Sequence, residues 1–222
     1  MIGDIVVQAA LYAVPLLLGV VTHEVAHGWV ANKLGDPTAK DLGRITLNPL
    51  VHIDLMGTVI LPLILLLVHS PFLFGWAKPV PVNFDNLRGG RRDMALVAIS
   101  GPLTNLMMAV LSAVVYHLIL SSLQNGWIPA HGRAILLAEP LFMMARLSVT
   151  FNLVLMVINL LPIPPLDGGR VMVGILPYRL AYQLERLETF GMLIVLLLIG
   201  TGLWRYFVSP VLDVFLRFFL DR

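Results

Sequence analysis

The first apolar stretch of this chain, residues 5–31, carries in its second half a group that an apolar helix does not hold without cause: Thr22, His23, Glu24 and His27. A helix needs about 20 residues to cross a hydrocarbon core of about 30 Å, and ionisable groups inside such a helix are costly and usually functional. The same apolar length recurs at 94–120, 141–161 and 188–204. Only 13% of the 222 residues are charged and 58% are hydrophobic. Soluble domains carry about a quarter charged residues, so this chain has too little charge to cover a water-exposed surface. The pattern predicts an all-α polytopic membrane protein with the lipid bilayer as solvent for much of its surface.

The remaining segments are shorter. Residues 55–69 are apolar over fifteen positions and contain Gly57 and Pro62. They form either a short span or a re-entrant segment. Residues 208–220 hold Asp213 and Arg217, and either lie in the interface or complete a bundle. Arg44-Ile45-Thr46-Leu47 alternates and predicts a short β element. Residues 121–140 read as polar and loose. The opening Met1-Ile2-Gly3-Asp4 lacks the basic leader of a signal peptide, so the first run reads as a retained span. The expectation is one membrane-embedded domain over 1–222. Its three-helix core, about 5–175, has a re-entrant segment and is followed by one or two C-terminal membrane helices.

Basic residues set the topology. Lys33, Lys40, Arg44, Lys78, Arg88, Arg91 and Arg92 fall in 32–93, and Arg170, Arg179 and Arg186 in 162–187, whereas 121–140 holds only Arg133. Cytoplasmic loops are enriched in Lys and Arg. Both rich regions share that side if 55–69 turns back. The net charge is only +2, and no aromatic and basic pattern suits nucleic acid.

There is no cysteine, so a bound metal must be held by His, Asp or Glu. His23 and His27 lie one helical turn apart on one face, and Glu24 sits beside the first of them, the arrangement of two ligands and a general base. The alternative is a buried polar network that packs helices. A catalytic zinc needs a third protein ligand, and Asp167 is the leading candidate. It follows the third span in a stretch where Pro162, Pro164 and Pro165 break the helix and Gly168 and Gly169 permit close backbone approach. The other reading of that stretch is an interfacial turn. If 55–69 turns back, the first and third clear spans run parallel and their C-terminal ends meet at one level. His52 and Asp54 read as solvated loop residues or as supports for the ligands. Glu139 and Glu188 lie near span ends, and His69, His117 and His131 have no partner at metal-binding spacing.

Taken together, His23-Glu24-Val25-Ala26-His27 and Leu166-Asp167-Gly168 resemble the site-2 protease family of intramembrane zinc metallopeptidases, peptidase family M50. Leu47-Asn48-Pro49, Gly57-Thr58, Gly75–Val82 and Gly101-Pro102-Leu103-Thr104-Asn105 extend the likeness over roughly 15–175. The resemblance implies a zinc metalloendopeptidase of type EC 3.4.24 holding one Zn2+ on His23, His27 and Asp167. Glu24 would be its base, Asn159 would stand near the substrate or its oxyanion, and Asn105 would be a second polar helper. It implies transmembrane protein substrates and a cell-membrane location with the active site toward the cytoplasmic side. The chain reads as a small prokaryotic form without PDZ or CBS domains. Control would then fall to substrate supply or to a separate regulatory partner. Two alternatives are a membrane metal transporter, against which the apolar Val6–Val20 stretch argues, and a catalytically inactive membrane scaffold.

Overall fold

Among the described residues, three helices are long and apolar enough to cross a membrane: Ala10–Leu34 within α1 (Ile2–Leu34), α4 (Arg91–Gln124) and α5 (Arg133–Asn159). The computed structural model describes residues 2–68, 75–129 and 131–221. Between α1 and α4 lie α2 (Thr38–Asp41), a 3-10 turn at Pro49–His52, a π-helical turn at Leu55–Ile60, α3 (Leu61–Leu67) and a 3-10 turn at Phe84–Asn86. After α5 come α6 (Asp167–Ile175), α7 (Tyr178–Glu185), α8 (Glu188–Gly200), α9 (Trp204–Phe207) and α10 (Ser209–Leu220). The all-α membrane fold expected from the sequence is the one observed.

The bundle is built on α4, which packs against α1, α5 and α6. Its buried residues Gly101, Asn105, Ala109 and Ala113 recur every four positions and form one narrow seam. Lipid chains are as apolar as leucine, so helices in a membrane associate through close backbone approach at small residues and through polar contacts. Two residues further on, about 200° around the helix, Leu103, Met107, Leu111 and Val115 are all exposed. That stripe suits lipid and would be a liability in water. Asn105 pairs with Asn152, and Ser112 with Ser148. Position numbers rise on α4 as they fall on α5, so these helices are antiparallel. His23 meets Asn105 while His27 meets Val97, which makes α1 antiparallel to α4 and parallel to α5.

The segments at His52–Thr58 and Trp76–Lys78 are bonded to each other. Lys78 N donates to His52 O at 2.9 Å, Trp76 N to Gly57 O at 3.2 Å, and Thr58 Oγ1 to Trp76 O at 2.8 Å. The return therefore lies against the start, as a re-entrant segment requires. A Cβ on Gly57 would fall on the Trp76 indole, so glycine is needed for that contact. His69 lies outside the described residues.

Three expectations need correction. No strand occurs among the described residues, and Arg44–Leu47 is irregular. Arg44 N bonds back to Ala39 O, the Arg44 guanidinium donates to the carbonyls of Lys78 and Pro79, and Thr46 O faces His52 Nε2. These bonds satisfy backbone groups that a ladder would have used. The loose stretch 121–140 is helical from Arg133, because Ala134-Ile135-Leu136-Leu137-Ala138 favours helix strongly enough to carry Pro140. The span expected at 188–204 is divided, since α8 ends at Gly200 and Gly202 takes φ +73°. Thirteen residues rise only about 20 Å, less than the hydrocarbon core. Residues 208–220 complete the bundle: Leu212, Phe215, Leu216 and Phe219 of α10 pack on the core formed by Ala109, Ala113, Val149 and Leu153.

Candidate metal centre

The helix directions bring three side chains together at one end of the bundle. His23 and His27 come from α1, and Asp167 opens α6 just beyond α5. All three are buried, and their ligand atoms lie within 4.8 Å of one another. His23 Nε2 and His27 Nε2 are 3.0 Å apart, and they stand 3.1 and 3.3 Å from Asp167 Oδ2.

Backbone shape permits this closeness. On α4, a Cβ at Gly101 would sit 2.5 Å from His27 Nε2 and 2.6 Å from His23 Cε1. A Cβ at Gly168 would strike the carbonyl of Leu160, and one at Gly169 the backbone at Pro164. The two glycines therefore let α6 start directly against the chain that leaves α5. As the first residue of α6, Asp167 also lies at the positive end of that helix.

The outer hydrogen bonds fix which ring nitrogens face inward. The Asn105 amide nitrogen donates to Gly19 O at 3.1 Å and to Asn152 Oδ1 at 2.9 Å. Its Oδ1 must then accept from His23 Nδ1, 2.6 Å away. His27 Nδ1 lies 2.8 Å from Val97 O, and a carbonyl only accepts. Both neutral rings thus carry their proton on Nδ1 and present a bare Nε2.

Asp167 Oδ2 is buried and has no hydrogen-bond partner. Three lone pairs therefore converge, and an added proton or a metal cation must relieve them. For bonds of about 2.0–2.1 Å, the edge of a tetrahedron around zinc is about 3.3 Å. The observed spacings of 3.0 to 3.3 Å fit that edge, so His23, His27 and Asp167 are suited to hold such an ion.

Glu24 is half-buried beside this cluster, and its Oε2 accepts from Val80 N at 2.7 Å. Gly28 lets the loop approach, since a Cβ there would lie 2.8 Å from Val80 Cγ1. The other candidates divide. The Asn159 amide nitrogen donates to Leu155 O of its own helix at 3.0 Å. His52 is 2% exposed, which overturns its reading as a solvated loop residue. Asp54 caps the π-helical turn by accepting from Gly57 N. Glu188 pairs with Arg170 at 3.3 Å. His117 bonds Phe219 O, and Glu139 and His131 are exposed. Two participants escaped the sequence reading. Asn152 stands behind Asn105, and Val80 holds Glu24 through its backbone. A buried amide in a membrane helix is a signal for Asn152, whereas a backbone donor leaves no trace in residue type.

Comparison with known proteins places these residues in a wider group. The chain is 37% identical to "Putative zinc metalloprotease YwhC" of Bacillus subtilis over 90% of its own length and 84% of that protein's. It is 30% identical to "Putative zinc metalloprotease Rip2" of Mycolicibacterium smegmatis, over 88% of its own length and 69% of that relative's. Rip2 of Mycobacterium tuberculosis (strain H37Rv) is 32% identical over 68% of this chain and 52% of that protein. No family model matches the chain. No solved structure matches it.

Proposed function

The chain belongs to the site-2-protease-like small zinc metalloproteases, and from that premise we propose that it is a zinc-dependent endopeptidase acting within the membrane. The carrying observation is the convergence of two bare imidazole nitrogens and one buried carboxylate oxygen. In this reading His23, His27 and Asp167 hold one Zn2+. When bound, zinc supplies Lewis acidity toward a water and a peptide carbonyl.

Glu24 is the base. Its carboxylate takes the proton of the attacking water and delivers it to the leaving amine. Val80 N holds one Glu24 oxygen and leaves the other for that proton. The bond to Leu155 O occupies one N–H of the Asn159 amide and leaves the second for a substrate carbonyl or its oxyanion.

The substrates are transmembrane segments of other proteins. A helix hides its carbonyls in its own hydrogen bonds, so each segment must unwind locally before attack. The protein is multi-pass in the cell membrane, and the bias of Lys and Arg toward 32–93 and 162–187 supports a metal end on the cytoplasmic side. A separate partner or substrate supply governs cleavage.

The test uses purified protein in proteoliposomes with a helical membrane substrate. Glu24→Gln should keep one zinc per chain by elemental analysis and lose cleavage by roughly 10²–10⁴-fold. Unchanged cleavage in that variant rules the assignment out.

A further inference from the structure

Behind the metal centre runs an unbroken line of side-chain hydrogen bonds through all three long helices. His23 Nδ1–H donates to Asn105 Oδ1 at 2.6 Å, and Asn105 Nδ2 donates to Asn152 Oδ1 at 2.9 Å. Asn152 Nδ2 donates to Ser148 O at 2.8 Å and lies 3.2 Å from Ser148 Oγ. Ser112 Oγ–H donates to Ser148 Oγ at 2.7 Å. Asn105 and Asn152 are completely buried. Two buried amides are an expense in an apolar bundle unless each polar atom is matched.

The line has a direction. A primary amide presents an oxygen at one end and an NH2 at the other, and a 180° flip exchanges them at almost no change in shape. Turned correctly, Asn105 offers oxygen to His23 and holds the ring proton on Nδ1. Turned over, it offers NH2 and demands the other tautomer, with a proton on the Nε2 that faces the metal. Two acceptors oppose the flip: Gly19 O on α1 and Asn152 Oδ1 on α5. Asn152 is itself fixed, because its NH2 is spent on the Ser148 carbonyl.

We infer that Asn152 is a positioning residue for the metal centre: through Asn105 it fixes which nitrogen of His23 is bare. The inference rests on the metal reading above. It adds a residue that touches neither metal nor substrate and comes from a third helix.

The experiment measures zinc affinity of the purified full chain by competition with a chromophoric chelator. Asn152→Leu keeps the side-chain size and removes the acceptor. It should weaken zinc by about tenfold or more, the lower end for lost outer partners of a ligand histidine. The decisive background is Asn105→Asp. A carboxylate offers oxygen to His23 in either orientation, so adding Asn152→Leu there should change affinity less than twofold. An unchanged affinity for Asn152→Leu alone, or an equal loss in both backgrounds, overturns the inference.

Ring 15N shifts of metal-free, histidine-labelled protein, assigned with His23→Ala, give a readout independent of metal and of the carboxylate variant. His23 should carry its proton on Nδ1 in the native chain and shift toward Nε2–H in Asn152→Leu. A spectrum unmoved by Asn152→Leu overturns the inference. Native protein that binds no zinc overturns the metal reading and the inference together; native zinc binding with no effect of Asn152→Leu removes the inference alone.

Discussion

At the scale of single residues, the centre depends as much on what is missing as on what is present. Gly101 leaves the space in which two imidazoles and a carboxylate meet, and a methyl group there would stand 2.5 Å from His27 Nε2. Gly101→Ala is expected to cost about 1–3 kcal/mol in overpacking and to weaken zinc binding about tenfold or more, measured by chelator competition beside thermal unfolding. A second buried group is independent of the metal. Asp36 is completely buried just beyond α1 and accepts from Thr38 Oγ1, Thr38 N, Asn83 N and Asn86 Nδ2. Burial pushes its carboxyl up, but those donors outweigh burial and hold it below the usual carboxylate range. The folded value is thus lower than the unfolded one. The resulting stability is complete above the unfolded value of about 3.8 and disappears as pH falls through the folded value. The thermal midpoint of the solubilised protein should fall over that acidic window, and Asp36→Asn should flatten the fall. The spacing of His23 and His27 and the turn chemistry around Asp167 made the three candidate positions, which the fold brings within 4.8 Å of one another, legible in the sequence. The role of Asn152 was not, because it depends on the register of α5 against α4, which residue types alone do not encode.

At the scale of elements, the excursion between His52 and Lys78 decides the topology. Its start and return are bonded through His52, Gly57, Thr58 and Trp76, so the 78–92 loop belongs to the side from which the excursion leaves. The chain has no native cysteine, so one introduced by Arg88→Cys reports a single place. In intact cells it should resist a membrane-impermeant thiol reagent and react once the inner face is opened. Labelling from outside would place the basic loop across the membrane and remove the shared metal level. The helix parity needed for that shared level was legible from apolar lengths and loop charge. The extent of α5, the break of α8 and the irregular Arg44–Leu47 segment were not. Each depends on a local contest that composition leaves open: Pro140 against strong helix formers, Gly202 against an apolar run, and side-chain donors against a strand ladder.

At the scale of the whole molecule, the candidate ligands tie the C-terminal part of α1 to the chain that leaves α5, with α4 between them. A cation bound only by the folded arrangement stabilises it by mass action, by about 2.7 kcal/mol when free zinc is 100 times its Kd. Chelation should therefore lower the thermal midpoint of the native protein and have little effect on His23→Ala, measured by a melting assay in detergent. The seam of α4 has a consequence for how this gene can change in length. Gly101 and Asn105, which shape and orient the ligands, belong to the same four-residue series as Ala109 and Ala113, which seat α5 and α10. Inserting or deleting one codon between them turns everything beyond it by about 100° and sets the two halves of the series on different faces. Drift in that stretch is confined to substitution, whereas the loop that leaves α4 after Gln124 has no such phase to keep and is free to grow or shrink.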